Sequence, residues 1–123
     1  MPANKRIQFL EQDGKQILLL DATNMPPGDK FKQFIDDAKH VIHMQQKNSM
    51  RTLFDATNAY FDKETVDILK DFTASNRPYV KASAVVGITG LKKMMLELVS
   101  KFSNRTFKQC ETREEAVAWL VKQ

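Results

Sequence analysis

The chain has 123 residues, a formal net charge of +4, 42% hydrophobic and 28% charged residues, and one cysteine. That length fits one domain over residues 1–123, able to bury roughly two-thirds of its unfolded surface without a disulfide or a metal. A single cysteine excludes an internal disulfide and a cysteine-based zinc site, and the longest charge-free apolar stretch, Ala82 to Leu91, is too short to span a bilayer. Met1 to Arg6 lead into no apolar segment of signal-peptide type, which predicts a cytoplasmic protein. The basic excess is small and interspersed with acids. Its densest patch, Lys92-Lys93 with Arg77 and Lys81 upstream, argues against a nucleic-acid partner, which would concentrate cations on one face.

In chain order, Ile7 to Glu11 reads as a strand, and Gln12-Asp13-Gly14-Lys15 as a hairpin turn, because Asp-Gly supplies the positive φ that such turns need. Ile17-Leu18-Leu19-Leu20, an unbroken apolar run, predicts a strand buried on both faces. Pro26-Pro27-Gly28 marks a loop. Asp29 is placed to cap a helix from Lys30 to near Asn48, with Phe31, Phe34, Ile35, Ala38, Val41 and Ile42 on its apolar face. Met50 to Asp55 is a strand. Asp62 caps a helix bearing Val66, Leu69 and Phe72, which Arg77-Pro78 closes. Val80 to Ile88 is a strand, and Leu91, Met94, Met95, Leu98, Val99 and Phe102 form the apolar face of the next helix, with Met94, Met95 and Phe102 expected to pack the core, or methionine on an exposed face to serve a pliable binding surface. Thr106 to Gln109 is a short strand. Thr112 and Glu115 have capping-box spacing and open a last helix that turns Ala116, Trp119 and Leu120 inward.

The fold class is therefore α/β: a single mixed, mostly parallel five-stranded sheet with four helices, in the order β-β-α-β-α-β-α-β-α. Strands joined through helices run parallel with right-handed crossovers. Their carboxyl ends, where ligands gather in open α/β sheets, carry residues 21 to 25, 55 to 62 and 87 to 92. This rim offers Asp21, Thr23, Asn24, Asp55, Thr57, Asn58, Gly87, Thr89, Gly90, Lys92 and Lys93. Asp21-Ala22-Thr23-Asn24 recurs there as Asp55-Ala56-Thr57-Asn58. Small polar residues at helix starts suit a small anion, and the same residue types cap helices and make turns in any protein. Gly87-Ile88-Thr89-Gly90 is neither a Walker loop nor a dinucleotide fingerprint.

His40 and His43 lack the further ligands a metal would need, and Cys110 lacks an activating base and reads as an inert buried thiol. No cofactor motif is evident. Nothing in the chain assembles a nucleophile with a base, which favours binding over catalysis. A strongly perturbed carboxylate among Asp21, Asp55 and Asp62 would point the other way.

The hairpin followed by βα units, with Arg51-Thr52-Leu53-Phe54-Asp55-Ala56-Thr57 entering a helix, resembles the STAS domain family, whose best-known type is SpoIIAA, the anti-sigma-factor antagonist. Ala82-Ser83-Ala84-Val85-Val86-Gly87-Ile88-Thr89-Gly90-Leu91, followed by Phe107 and Glu114-Glu115-Ala116-Val117-Ala118-Trp119-Leu120, is similar to small bacterial SpoIIAA-like proteins, a group related in fold to the CRAL-TRIO lipid-binding domain. The resemblance implies a non-enzymatic regulatory or protein-interaction module, with the loop after Asp55 and its following helix as the contact surface. Its alternative implication is a carrier of a small ligand or lipid, held at the sheet's carboxyl edge or in Met- and Phe-lined space under the helices. In phosphorylated STAS antagonists the strand-end Asp precedes a phosphorylated Ser. Asp55 matches the Asp, but Ala56 stands at the acceptor position, leaving Thr57, one place later, as the substitute acceptor. If the helices crowd one sheet face, the other face or the edge strand offers a route to a homodimer.

Overall fold

The structure, a computed structural model, describes residues 4–123. The start of the Met1 to Arg6 stretch lies outside the described residues. Asp13 and Gly14 both take positive φ (53° and 75°), closing a two-residue hairpin between β1 (Ile7–Gln12) and β2 (Lys15–Asp21). After it come α1 (Asp29–His43), β3 (Met50–Asp55), α2 (Lys63–Asn76), β4 (Val80–Val86), α3 (Leu91–Ser103), β5 (Lys108–Cys110) and α4 (Arg113–Leu120). The strands lie in sequence order, β1 antiparallel to β2 and all later neighbours parallel, the mixed five-stranded α/β sheet that the pattern predicts.

Consecutive parallel order with crossovers of one hand puts the connecting helices on one face. There α1, α2 and α3 bury Phe31, Phe34, Ile42, Leu69, Phe72 and Val99 against Leu18, Leu20 and Val85. The chain reaches the other face only after β5, where α4 lays Ala116 and Leu120 on Ile17, Leu19, Leu53, Ala84 and Val86. The apolar run of β2 is thus buried on both sides. Ile17, Leu18, Leu19 and Leu20 are each at most 5% exposed, and burial of side chains this size contributes about 1.5–3 kcal/mol apiece.

Four expectations need correction. Helix α1 begins at Asp29 itself, because Gly28 at φ 108° takes the cap position and accepts from the Lys32 amide. It also ends at His43 rather than near Asn48. Asn48 turns at φ 56°, and the amides of Asn48 and Ser49 dock on the carbonyls of Pro78 and Tyr79, folding the chain back toward β3. The third correction concerns α3, which does not seat its whole apolar face. Val99 is buried and Met95 half-buried, whereas Leu91, Met94, Leu98 and Phe102 are 53–68% exposed. Among the described residues α2 is the helix packed closely beside α3 at the sheet's edge, and it leaves one flank of the stripe exposed. Finally, the sheet face away from α1, α2 and α3 is not left open, because α4 closes it with Ala116 and Leu120, and Trp119 packs half-buried against the same cluster.

Candidate functional site

Side chains alternate across a strand, so Asp21 shares a face with Ile17 and Leu19, and Asp55 with Leu53. That is the face α4 covers. Because Asp21 pairs with Asp55 in the β2–β3 register, the two carboxylates stand side by side at the carboxyl ends of adjacent strands. Each opens the same turn. Asp21 Oδ1 accepts from the Thr23 amide (3.0 Å) and hydroxyl (2.6 Å), and Asp55 Oδ1 from the Thr57 amide (3.0 Å) and hydroxyl (2.6 Å). Both turns close on an asparagine at φ 58°, Asn24 and Asn58, in the left-handed region that asparagine tolerates better than most residues.

The turns carry the ladder past the end of the sheet. The Ala22 amide donates to the Asp55 carbonyl (2.9 Å), Asn24 to Thr57 (3.0 Å), and Ala56 to Val86 (2.8 Å). On the far side Gly87, at φ 79°, lies so close that a Cβ would sit 2.5–2.6 Å from the Thr57 backbone. Three of the rim's loops are therefore one connected layer.

Arg113, the first residue of α4, fastens it. Its Nε donates to Asp55 Oδ2 at 2.6 Å, and a terminal nitrogen lies 3.2 Å from Asp21 Oδ1. The hydrogen bond that Arg113 donates to Asp55 is the main cause holding the guanidinium above its ordinary range, against burial. Burial would raise the Asp21 carboxyl, but the two Thr23 bonds and the Arg113 charge together hold it below the usual carboxylate value. The Asp62 carboxyl is lowered by the Thr65 amide and hydroxyl bonds of its capping role. Both shifts favour the ionised form, the opposite of what a proton donor needs.

Two cations at the rim, Lys92 and Arg6, are also engaged. Lys92 Nζ donates to the Ala56 carbonyl at 2.8 Å and lies 6.0 Å from the Phe61 ring, and burial lowers its pKa against the opposing charge of Asp55. Arg6 donates to the carbonyls of Asp21 (3.0 Å) and Thr23 (2.9 Å). Thr89, Gly90 and Lys93 lie on the exposed start of α3, where the Lys92 and Lys93 amides bond back to Thr89 and Gly90. Cys110 is buried, and burial raises its thiol pKa, which disfavours a nucleophilic thiolate. His43 places Nε2 3.0 Å from Asn76 Oδ1 and stacks on Tyr79, a packing role, and His40 is solvent-facing.

Sequence reasoning missed Arg113 and Arg6. The signal for Arg113 was faint but physical. A cation in the first turn opposes the helix dipole, so it needs anions nearby, and the topology brings the start of α4 to the edge that holds both aspartates.

A second feature lies under α2 and α3. A cavity of about 60 Å³ is lined by Phe54, Phe61, Leu69, Phe72 and Phe107, with Arg105 at its margin. None of the described helices is long and apolar enough to cross a membrane.

No protein-family model matches the chain, and no curated protein matches it. Among solved structures, that of an anti-sigma-factor antagonist (STAS) domain protein from Planctomyces limnophilus aligns over 93% of this chain and 96% of that one, with a TM-score of 0.63 at 12% identity. Identity that low speaks to architecture alone, and the architecture of this chain, a hairpin leading into consecutive parallel βα units, is that of a STAS domain.

Proposed function

We propose that this chain is a non-enzymatic regulatory module that docks a protein partner through its carboxyl rim. The observation that carries the reading is the fastening of two identical turns by one arginine. Asp55 spends both carboxylate oxygens, and Asp21 its Oδ1, on Thr57, Thr23 and Arg113 instead of presenting them to a cleft. The rim is thereby a rigid surface. It presents Thr57, Asn58 and Tyr60 from one loop, Asn24 from the next, and Thr89, Gly90 and Lys93 from the third, all exposed. The uncovered ridge of α3, Leu91, Met94, Leu98 and Phe102, continues from that loop and adds apolar contact area. The STAS architecture supports the same reading.

Ala56 is fully buried and has no hydroxyl, and the Thr57 hydroxyl donates to Asp55. We read the rim as working without phosphorylation. Incubation with a cognate kinase and mass spectrometry should find no phosphate on residues 55 to 62, and a phosphorylated Thr57 would overturn that part.

The docking test is capture from the native cell with wild type, Tyr60→Ala, Lys93→Glu and the remote Met44→Ala. Tyr60 and Met44 are both exposed, at 66% and 71%. A specific partner should be lost with the rim variants and kept with Met44→Ala. Capture unchanged in all four would remove the rim as its surface. Light scattering on the same proteins shows whether that partner is a second copy.

A second reading, a binder of a small apolar ligand, is favoured by one observation: the phenylalanine-lined cavity beneath α2 and α3. Saturable binding of a short-chain alcohol or acid would support it.

A further inference from the structure

The packing of the rim does not account for the ridge of α3. Among the described residues the large apolar side chains that remain exposed are Phe9, Met44 and Tyr60, which lie apart on β1, at the end of α1 and in the loop after β3, and four that share one helix, Leu91, Met94, Leu98 and Phe102. At about 100° per residue these four fall within an arc of roughly 80°, so they form one stripe along α3 (Leu91–Ser103). Lys70 of α2 places its Nζ 5.8 Å from the Phe102 ring centroid, which holds that ring on the ridge. A stripe of four such side chains reaches the size, about 300–600 Å², at which an exposed apolar patch marks a contact surface.

The charges beside the stripe say what kind of surface it meets. Lys93, Glu97 and Lys101 are exposed along its Met94 side, and among the described residues none of them is in an ion pair. A helix that lies on an anionic surface carries mainly cations beside its apolar face. Here an acid stands between two cations, the mixed pattern that sets partner and direction when helices pair.

That pattern is complementary to itself. In an antiparallel pair of α3 helices related by a two-fold axis, like flanks meet, and each residue faces the one equally far beyond the axis. With the axis at Leu98, that leucine packs on its own copy and Met94 packs on Phe102, a thioether against an aromatic ring. Lys101 of the second copy then stands level with Met95, about 3 Å along the axis from Glu97. The two-fold repeats this pairing of Glu97 with Lys101 on the other half of the interface. An axis at Glu97 would instead set the two acids against each other, so charge selects the register.

We propose that α3 is the interface of a homodimer, packed antiparallel about Leu98 on the α3 of a second copy. The inference rests on the reading of the ridge as contact area and names its occupant. Both rims stay open to a further partner, because antiparallel packing sends them to opposite ends of the dimer. The stripe alone falls short of the roughly 800 Å² per partner of a standard interface, so its charged flank and the neighbouring α2 supply the rest, and the association is micromolar rather than permanent.

The test is sedimentation equilibrium of the full chain at neutral pH. Wild type should dimerise with a dissociation constant in the micromolar range. Leu98→Asp should weaken the dimer at least ~100-fold, because it buries two facing acids on the axis. Leu98 is 53% exposed, so this variant should stay folded, and Met94→Lys replaces it if it does not. Glu97→Lys and Lys101→Glu should each weaken the dimer about tenfold, most clearly at low salt. The double variant that exchanges the two charges should regain wild-type affinity, which a merely structural role for either residue would not produce. Tyr60→Ala, on the rim, should dimerise as wild type does, so loss of a rim partner and loss of the dimer are read separately. A wild type that stays monomeric at millimolar concentration would overturn the proposal, whether it then captures another protein or sediments with phosphatidylglycerol vesicles. A dimer that survives both Leu98→Asp and Met94→Lys would overturn the α3 interface, and a charge exchange that restores nothing would overturn its antiparallel register.

Discussion

The two Asp-Ala-Thr-Asn turns have the same four residues, the same threonine bonds and the same φ at their asparagines, yet they sit in different surroundings. The Asp55 side chain is 6% exposed and receives the short Nε bond from Arg113. Asp21 is 30% exposed and receives the longer contact. The difference follows from sheet position. Strand β3 has a neighbour on each side whose loops cover the second turn, with Gly87 against Thr57 and Lys92 on the Ala56 carbonyl. Strand β2 lies between β3 and the antiparallel edge strand β1, which brings no strand-end loop to this rim, and its turn is backed chiefly by Arg6. An identical local motif therefore carries different energetic weight according to how much water its surroundings exclude.

The largest expected effect lies on the second turn alone. Gly87→Ala puts a side chain at φ 79° and drives its Cβ into the Thr57 backbone, at a cost of about 3–4 kcal/mol in urea unfolding. A loss under 1 kcal/mol would show that the loops are not packed as closely as this. Next comes Asp55→Ala, which leaves the Thr57 amide and Arg113 without their main acceptor. About 2–3 kcal/mol is expected, the low end for a broken buried pair because Arg113 is itself partly exposed. Asp21→Ala breaks the corresponding bonds in wetter surroundings, and about 1 kcal/mol is expected. Equal costs for the two aspartates would erase the distinction drawn between the turns.

The smallest effect is in acid. The Asp21 carboxyl titrates below its ordinary value of 3.8 in the folded protein. Its contribution is complete above that value and is lost as the pH falls through the folded one, because the unfolded chain takes up the proton first. Asp21→Asn should flatten the stability profile in that window, and a profile unchanged by the substitution would contradict the assignment.

Local signals in the sequence were legible because their causes are local. Asp13-Gly14 dictates the hairpin, Asp62 and Thr112 cap α2 and α4 by bonds to amides three residues on, and the apolar run of β2 announces two-sided burial. The rim was legible through topology, since strands that point one way deliver their loops to one edge. What fastens the rim was not, because Arg113 lies 58 residues from Asp55 and only the path of α4 across the second face joins them. The α3 stripe shows the same limit. Periodicity reveals that a helix has an apolar face, but whether neighbours cover that face depends on where the sheet ends.

The central claim is that Arg113 makes the two turns a single unit. Amide hydrogen exchange of Thr23 and Thr57 in wild type and Arg113→Ala tests it most directly, with core amides of β2 and β3 as the reference for global stability. Both threonine amides should lose protection together, beyond any loss in the core, with Thr57 losing the larger factor. If Thr23 and Thr57 respond independently of one another, or keep their protection when the arginine is gone, the turns are separate caps and the account of the rim is wrong.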